Sequence, residues 1–192
     1  MVEYKKLTRF EIHKKYNNMI QRCYDEEWQK ENNMAYSKVT VCDKWLEDKY
    51  NTYFPFIERE FYVIDDLQMD IDHNIIDYWC TEYSEETVLI VPHYINVLGE
   101  SLEVGKTQIT YNKKLNKYIV KVMDKAEWLR EECDTYNEAL EMFCTIKQGI
   151  IYAEAEDLKD RVPAKVYNAM INTDVRAINE KHFIKDVAQS LT

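Results

Sequence analysis

The chain has 192 residues, 46% of them hydrophobic and 13% aromatic, which is enough apolar side chain for a real core and excludes wholesale disorder. Its formal charge of −10 with only three glycines and three prolines leaves little room for Gly-rich phosphate loops, and neither a Walker-type nor a dinucleotide-binding motif is present.

In chain order, Thr8 followed by Glu11 predicts a capping box that opens a helix running to about Tyr24. Phe10, Ile12, Tyr16, Met19, Ile20 and Cys23 recur at helical spacing along it and form its expected buried face. A polar stretch, Asp25–Ser37, leads to a short extended segment at Val39–Val41 and a second helix over about Asp43–Tyr53. Pro55 interrupts that helix or starts a third amphipathic piece, about Pro55–Tyr62. The pattern turns strand-like between Met69 and Ile76 and again at Val88–Val91, where β-branched residues dominate. Pro92 opens a short helix through Asn96, and Gly99 marks the junction between two halves, residues 1–100 and 101–192. Three strands follow, at about 107–111, 117–123 and 126–130, with a turn at Asn112–Asn116. A long helix starts at Thr135 with Glu138 completing a second capping box, although Gly149 interrupts its apolar stripe. A short helix at Ala164–Met170 and a helical tail from Asn179 end the chain. The expected fold class is α+β: a helical lead-in with a small ββα-like finger, then a three-stranded antiparallel sheet packed by a helix.

The charge is unevenly spread. Residues 61–100 hold nine carboxylates and neither lysine nor arginine, whereas the flanking segments are close to balanced. Such a segment is a poor surface for nucleic-acid phosphates unless metal ions bridge the two. Five scattered cysteines without a two-residue spacing point to free thiols in a reducing compartment rather than a zinc knuckle. The longest apolar run, Val88–Pro92, is far shorter than the ~20 residues of a membrane span, so a cytoplasmic protein without a membrane partner is expected.

Two stretches carry a family resemblance. Tyr16-x-x-Met19-x-x-Arg22-Cys23-Tyr24, Val41-Cys42-x-x-Trp45-Leu46, Gln68-Met69-Asp70-Ile71-Asp72-His73-Asn74-Ile75-Ile76, Tyr83-Ser84-Glu85-Glu86-Thr87 and Val91-Pro92-x-x-Ile95-Asn96 together resemble the nuclease half of phage-encoded His-Me finger (HNH) endonuclease-like proteins. Leu102-Glu103-Val104-Gly105, Lys117-Tyr118-Ile119-Val120 and Thr135-Tyr136-Asn137-Glu138-Ala139 resemble the small APETALA/ERF-type DNA-binding domain that such proteins join to it. The chain departs from that pattern. Cys80-Thr81-Glu82 stand where a Gly-Asn-Lys turn is usual, Glu85 and Val88 replace a proline and a cysteine, and acidic residues near Glu131 replace a glycine.

A finger nuclease needs a histidine to activate water and oxygen or nitrogen ligands for one divalent ion at the scissile phosphate. The resemblance implies His73 as general base, with Asp72 and Asn96 as ligands of Mg²⁺; His93 is an alternative base. An incidental histidine in a solvated acidic loop is the other reading of the same residues. Lys106, Lys113, Lys114, Lys117, Lys121 and Lys125 fall in one predicted hairpin and form the expected nucleic-acid contact, or else the solvated lysines of an edge hairpin. Trp28, Trp45, Trp79 and Trp128 are expected as core or staple residues, with Trp79 the one exposed anchor.

Two functions follow. In the first, Asp65, Asp66, Asp70, Asp77, Glu82, Glu85 and Glu86 form an acidic interaction surface of a repurposed, non-cutting relative. Its partner is a host nucleoprotein defence complex, and it acts as an anti-CRISPR-like inhibitor, with possible nucleic-acid contact. In the second, the chain is an active Mg²⁺-dependent endonuclease for DNA or guide RNA. A non-enzymatic DNA-binding protein that uses only the second half is a third, plainer option.

Overall fold

The computed structural model describes residues 2–105, 107–125 and 127–183. The protein is α+β and folds as two compact units. The first takes the chain up to Asn96 together with Lys159–Val166; the second takes Val97–Leu158 and the chain from Tyr167 onward. The junction thus lies close to Gly99, but the stretch around Pro163 returns to the first unit.

The first unit begins with β1 (Glu3–Tyr4) and α1 (Arg9–Tyr24). The Thr8 hydroxyl accepts the Glu11 amide, and the Glu11 carboxylate accepts the Thr8 amide at 2.7 Å, so the expected capping box is formed. The polar stretch after it is not a loop. Asp25 accepts the Trp28 amide at 2.9 Å and caps α2 (Glu26–Glu31), and a 3₁₀ turn spans Met34–Lys38. After β2 (Thr40–Val41), the helix expected to reach Tyr53 stops early: α3 covers Asp43–Glu47. Asp48 accepts both the backbone and side-chain amides of Asn51, a local alternative that competes with helical hydrogen bonds. α4 (Tyr53–Glu60) then holds Pro55 in its first turn, where a missing N–H costs nothing.

These helices meet in an aromatic core. Trp45 and Tyr53 are fully buried, with their rings edge-on at 5.0 Å, and Tyr16 packs against Tyr53 at 5.1 Å. Among the described residues the Tyr53 hydroxyl and the Trp45 indole N–H find no hydrogen-bond partner, and burial pushes the Tyr53 hydroxyl far above its ordinary pKa. Tyr53→Phe removes an unsatisfied polar atom and keeps the ring. It should raise stability by about 1 kcal/mol, read as a higher urea midpoint at unchanged slope.

The rest of the first unit consists of short strands: β3 (Tyr62–Val63), β4 (Met69–Asp72), β5 (Glu82–Tyr83) and β6 (Leu89–Pro92). β1 pairs with β3 and β4 with β6, both antiparallel, while β2 runs parallel to β5. α5 (His93–Glu100) follows β6 without a gap, so β4, β6 and α5 make the ββα finger.

In the second unit, β7 (Ile109–Asn112), β8 (Lys117–Asp124) and β9 (Glu127–Cys133) form an antiparallel sheet in that order. Asn116 and Lys125 take left-handed backbone angles in its two turns. α6 (Tyr136–Leu158) packs on the face that carries Val120 and Val122, and its Tyr136 ring meets Tyr118 at 5.8 Å. Thr135 and Glu138 exchange the reciprocal bonds of the second capping box. Gly149 does not break α6; a Cβ there would meet nothing within 4 Å, so the position is open to solvent and carries no packing demand. α7 (Ala164–Asn172) and α8 (Val175–Ile178) complete the described fold. The expected helical tail lies largely beyond Phe183, outside the described residues.

Candidate functional site

The finger brings three polar side chains to one carboxylate. Pairing of Met69 with Pro92 and of Asp70 with Val91 sets Asp70 beside the start of α5, and the His93 amide donates to the Gln68 carbonyl at 2.8 Å. Asp70 Oδ2 then lies 2.7 Å from His93 Nδ1 and 3.0 Å from the Asn96 side-chain nitrogen, while its Oδ1 accepts from Gln68 at 3.1 Å. Partial burial would raise the pKa of Asp70, but the bonds from His93, Asn96 and Gln68 outweigh it and hold the pKa below its ordinary value. The group is therefore a carboxylate at neutral pH. An acceptor at that distance requires the proton of a neutral His93 ring to sit on Nδ1, which leaves Nε2 as a base on a side chain that is 54% exposed.

The residues expected from the family pattern sit differently. His73 is buried, with its ring 4.4 Å from that of Tyr83. Burial first, and the nearby Arg22 charge second, lower its pKa to about 4, far from the operating range of a base at neutral pH. Asp72 is also buried, and its Oδ1 accepts the backbone amides of Asn74 and Ile75 at 2.8 and 2.9 Å, the geometry of an Asx turn. Asn96 is brought to Asp70, two residues along the strand from Asp72. Among the described residues no three His, Cys, Asp or Glu side chains gather as a metal cage. The set that comes nearest is Asp70 and the Asn96 amide, whose oxygens are hard donors that suit Mg²⁺, with His93 beside them; Asp72, committed to its turn, fits a metal poorly.

The acidic segment does not present one continuous face of unpaired charge. Asp65 pairs with Arg161, and Glu85 with Arg59 at 2.6 Å and Lys44 at 3.6 Å. Asp77 accepts the Trp79 amide at 3.1 Å. Asp66, Asp77, Glu82 and Glu86 are exposed.

Cations supplied by α1 approach Asp70 from a distant part of the sequence. Lys15 and Arg22 lie two turns apart on that helix and, with Lys14, Asn18, Asp70 and Tyr83, line a cleft of about 420 Å³. Lys15 carried no metal or nuclease signature in the sequence, and Arg22 stood in the Tyr16–Tyr24 stretch that resembles the nuclease half, but with no role assigned to it.

The hairpin lysines of the second unit do not share one face. Lys113 and Lys114 project from the β7–β8 turn, where Asn112 Oδ1 accepts the Lys114 and Leu115 amides. Lys117 pairs with Asp134, and Lys125 with Glu154 on α6 at 3.2 Å. Lys121 lies opposite Arg130, next to the Met123–Trp128 pair, on the face away from Val120. Lys106 lies outside the described residues. Trp45 is core, Trp28 is partly buried, and Trp79 is exposed, but Trp128 on β9 is more exposed still at 63%. All five cysteines are free thiols, and burial pushes Cys23 and Cys144 up to about 11. No helix among the described residues is long and apolar enough to cross a membrane. Comparison with known proteins returns no matching family model, no matching curated protein and no matching solved structure.

Proposed function

We propose that the first unit hydrolyses phosphodiesters of nucleic acid by finger-endonuclease chemistry, with His93 as the general base and Asp70 as its orienting carboxylate. The observation that carries this is the 2.7 Å contact between Asp70 Oδ2 and His93 Nδ1 inside a ββα unit. Asp70 fixes the tautomer and turns Nε2 outward. A water proton passes to Nε2, the water oxygen bonds to phosphorus, and the bond to the leaving oxygen breaks as that oxygen takes a proton from solvent. Asn96 donates to the same Oδ2 and Gln68 to Oδ1, which together keep the carboxylate in register with His93. Asp70 Oδ1, on giving up its bond from Gln68, and the Asn96 side-chain oxygen would hold a Mg²⁺ ion, which when bound supplies positive charge at the phosphate. On one sheet face of the second unit Lys121 and Trp128 are the groups that would meet a nucleic-acid backbone, beside Arg130, which is paired with Glu132 at 2.7 Å.

A second reading has its own observation. Asp66, Asp77, Glu82 and Glu86 remain exposed in a segment without lysine or arginine, as an anti-CRISPR-like inhibitor of a host nucleic-acid-targeting defence complex would need. Incubating the purified chain with duplex DNA and with structured RNA, in Mg²⁺ and in EDTA, separates the two. Endonuclease action gives cleavage in Mg²⁺ that EDTA stops. Intact substrates in both conditions rule it out and leave the inhibitor.

A further inference from the structure

We infer that the cleft between α1 and β4 is a seat for a phosphate group of a nucleic-acid strand, held by Lys15 and Arg22. The choice of a strand over other phosphates rests on the endonuclease reading; the anion seat itself rests on the cations.

Both side chains are part-buried, and among the described residues neither forms an ion pair with a carboxylate. Lys15 Nζ donates to the Met69 carbonyl at 3.1 Å and lies 4.8 Å from the centre of the Phe61 ring. The Arg22 guanidinium lies 5.8 Å from the Tyr36 ring and lines the cleft together with Tyr83. Asp70 is close enough to act on both charges, yet its oxygens already accept from Gln68, His93 and Asn96. Of the other arginines of the molecule, Arg59, Arg130, Arg161 and Arg176 each meet a carboxylate, Glu85, Glu132, Asp65 and Glu141 respectively, and Arg9 is exposed to solvent. Two cations drawn part-way out of water with no carboxylate among the described residues in contact, only the nearby charges of Asp70 and Glu11, are costly, and an anion entering the cleft offsets that cost. Arginine and lysine together, a planar donor fork beside a point charge, suit the tetrahedral oxygens of phosphate. The seat is open, is lined also by the amide of Asn18, and adjoins the Asp70 carboxylate that orients the base.

The test is the anisotropy of a dye-labelled oligothymidylate of about twelve nucleotides, titrated with the full chain in EDTA at low salt. Arg22→Gln and Lys15→Gln should each weaken binding about tenfold or more, whereas Lys113→Gln with Lys114→Gln should change it by less than about threefold. Arg22→Lys should fall between parent and Arg22→Gln, since it keeps the charge and loses the fork. Lys15→Gln carries the test should Arg22→Gln not fold. Unchanged binding by the folded cleft variants overturns the seat, as does loss confined to the turn-lysine variant. Inorganic phosphate that raises the thermal midpoint as much as the oligonucleotide does would make this a free-anion site and overturn the assignment to a strand. Arg22-dependent binding by a chain that cuts nothing would remove the endonuclease reading and leave the seat standing. Cleavage with Arg22-independent binding would do the reverse.

Discussion

His93→Gln is expected to lower Mg²⁺-dependent phosphodiester cleavage by ~10²- to 10⁴-fold, with the thermal midpoint displaced by no more than about 2 °C. The size follows from the role: glutamine can still donate to Asp70 from its amide, but it offers no basic nitrogen to water. The small effect on stability follows from exposure, since the His93 side chain is 54% accessible and its one strong contact is with Asp70. Asp70→Asn should give a loss of similar order for a different reason. The carboxamide no longer selects the tautomer with its proton on Nδ1, and a metal loses its charged ligand. Cleavage at the parent rate by His93→Gln would exclude His93 as the base and return the question to the acidic segment.

The second large effect is on stability and belongs to His73. In the unfolded chain its imidazole titrates near the ordinary 6.5, whereas in the folded protein burial and the Arg22 charge lower that to about 4. Between those values the unfolded chain binds a proton that the folded one refuses, so stability rises with pH across that window. The contribution is fully present above the unfolded pKa and is lost as pH falls through the folded one. The difference corresponds to about 3 kcal/mol for a group this well enclosed. Urea midpoints at about pH 7.5 and about pH 4.5 should therefore separate much more for the parent than for His73→Phe, which keeps a ring against Tyr83. Parallel loss in both proteins would mean that His73 is not held neutral in the fold. The carboxylates of Glu11, Asp25, Asp70, Glu85 and Glu103 are also held below their ordinary values, so their contribution is lost only at lower pH and is common to both proteins.

Local chemistry made several elements legible in advance. Thr8 with Glu11 and Thr135 with Glu138 mark helix starts because each pair satisfies orphan amides of a first turn by itself, without help from the rest of the chain. The β4, β6 and α5 order could be read from the apolar strand patterns and from Pro92, and the three strands of the second unit from alternation and turn residues. The split between α3 and α4 could not, because the apolar spacing from Trp45 to Tyr53 is helical and local side-chain bonds of Asp48, Asn51 and Thr52 interrupt it. The placement of Lys159–Val166 with the first unit was equally silent, since it depends on contacts between segments far apart in sequence.

For the site, the amino-acid order fixed that an Asp–x–Asp–His strand precedes a helix bearing His93 and Asn96, because that is a matter of local pattern. Tertiary structure decided which acid and which histidine meet. The antiparallel register sets Asp70 opposite Val91 and next to the helix start, and Asp72 opposite Leu89, farther from it; a slip in pairing would have exchanged the two. It also decided where positive charge comes from. Lys15 reaches the Met69 carbonyl across 54 residues, a contact that no periodicity encodes, and so a segment without a lysine or arginine of its own is faced by one of each.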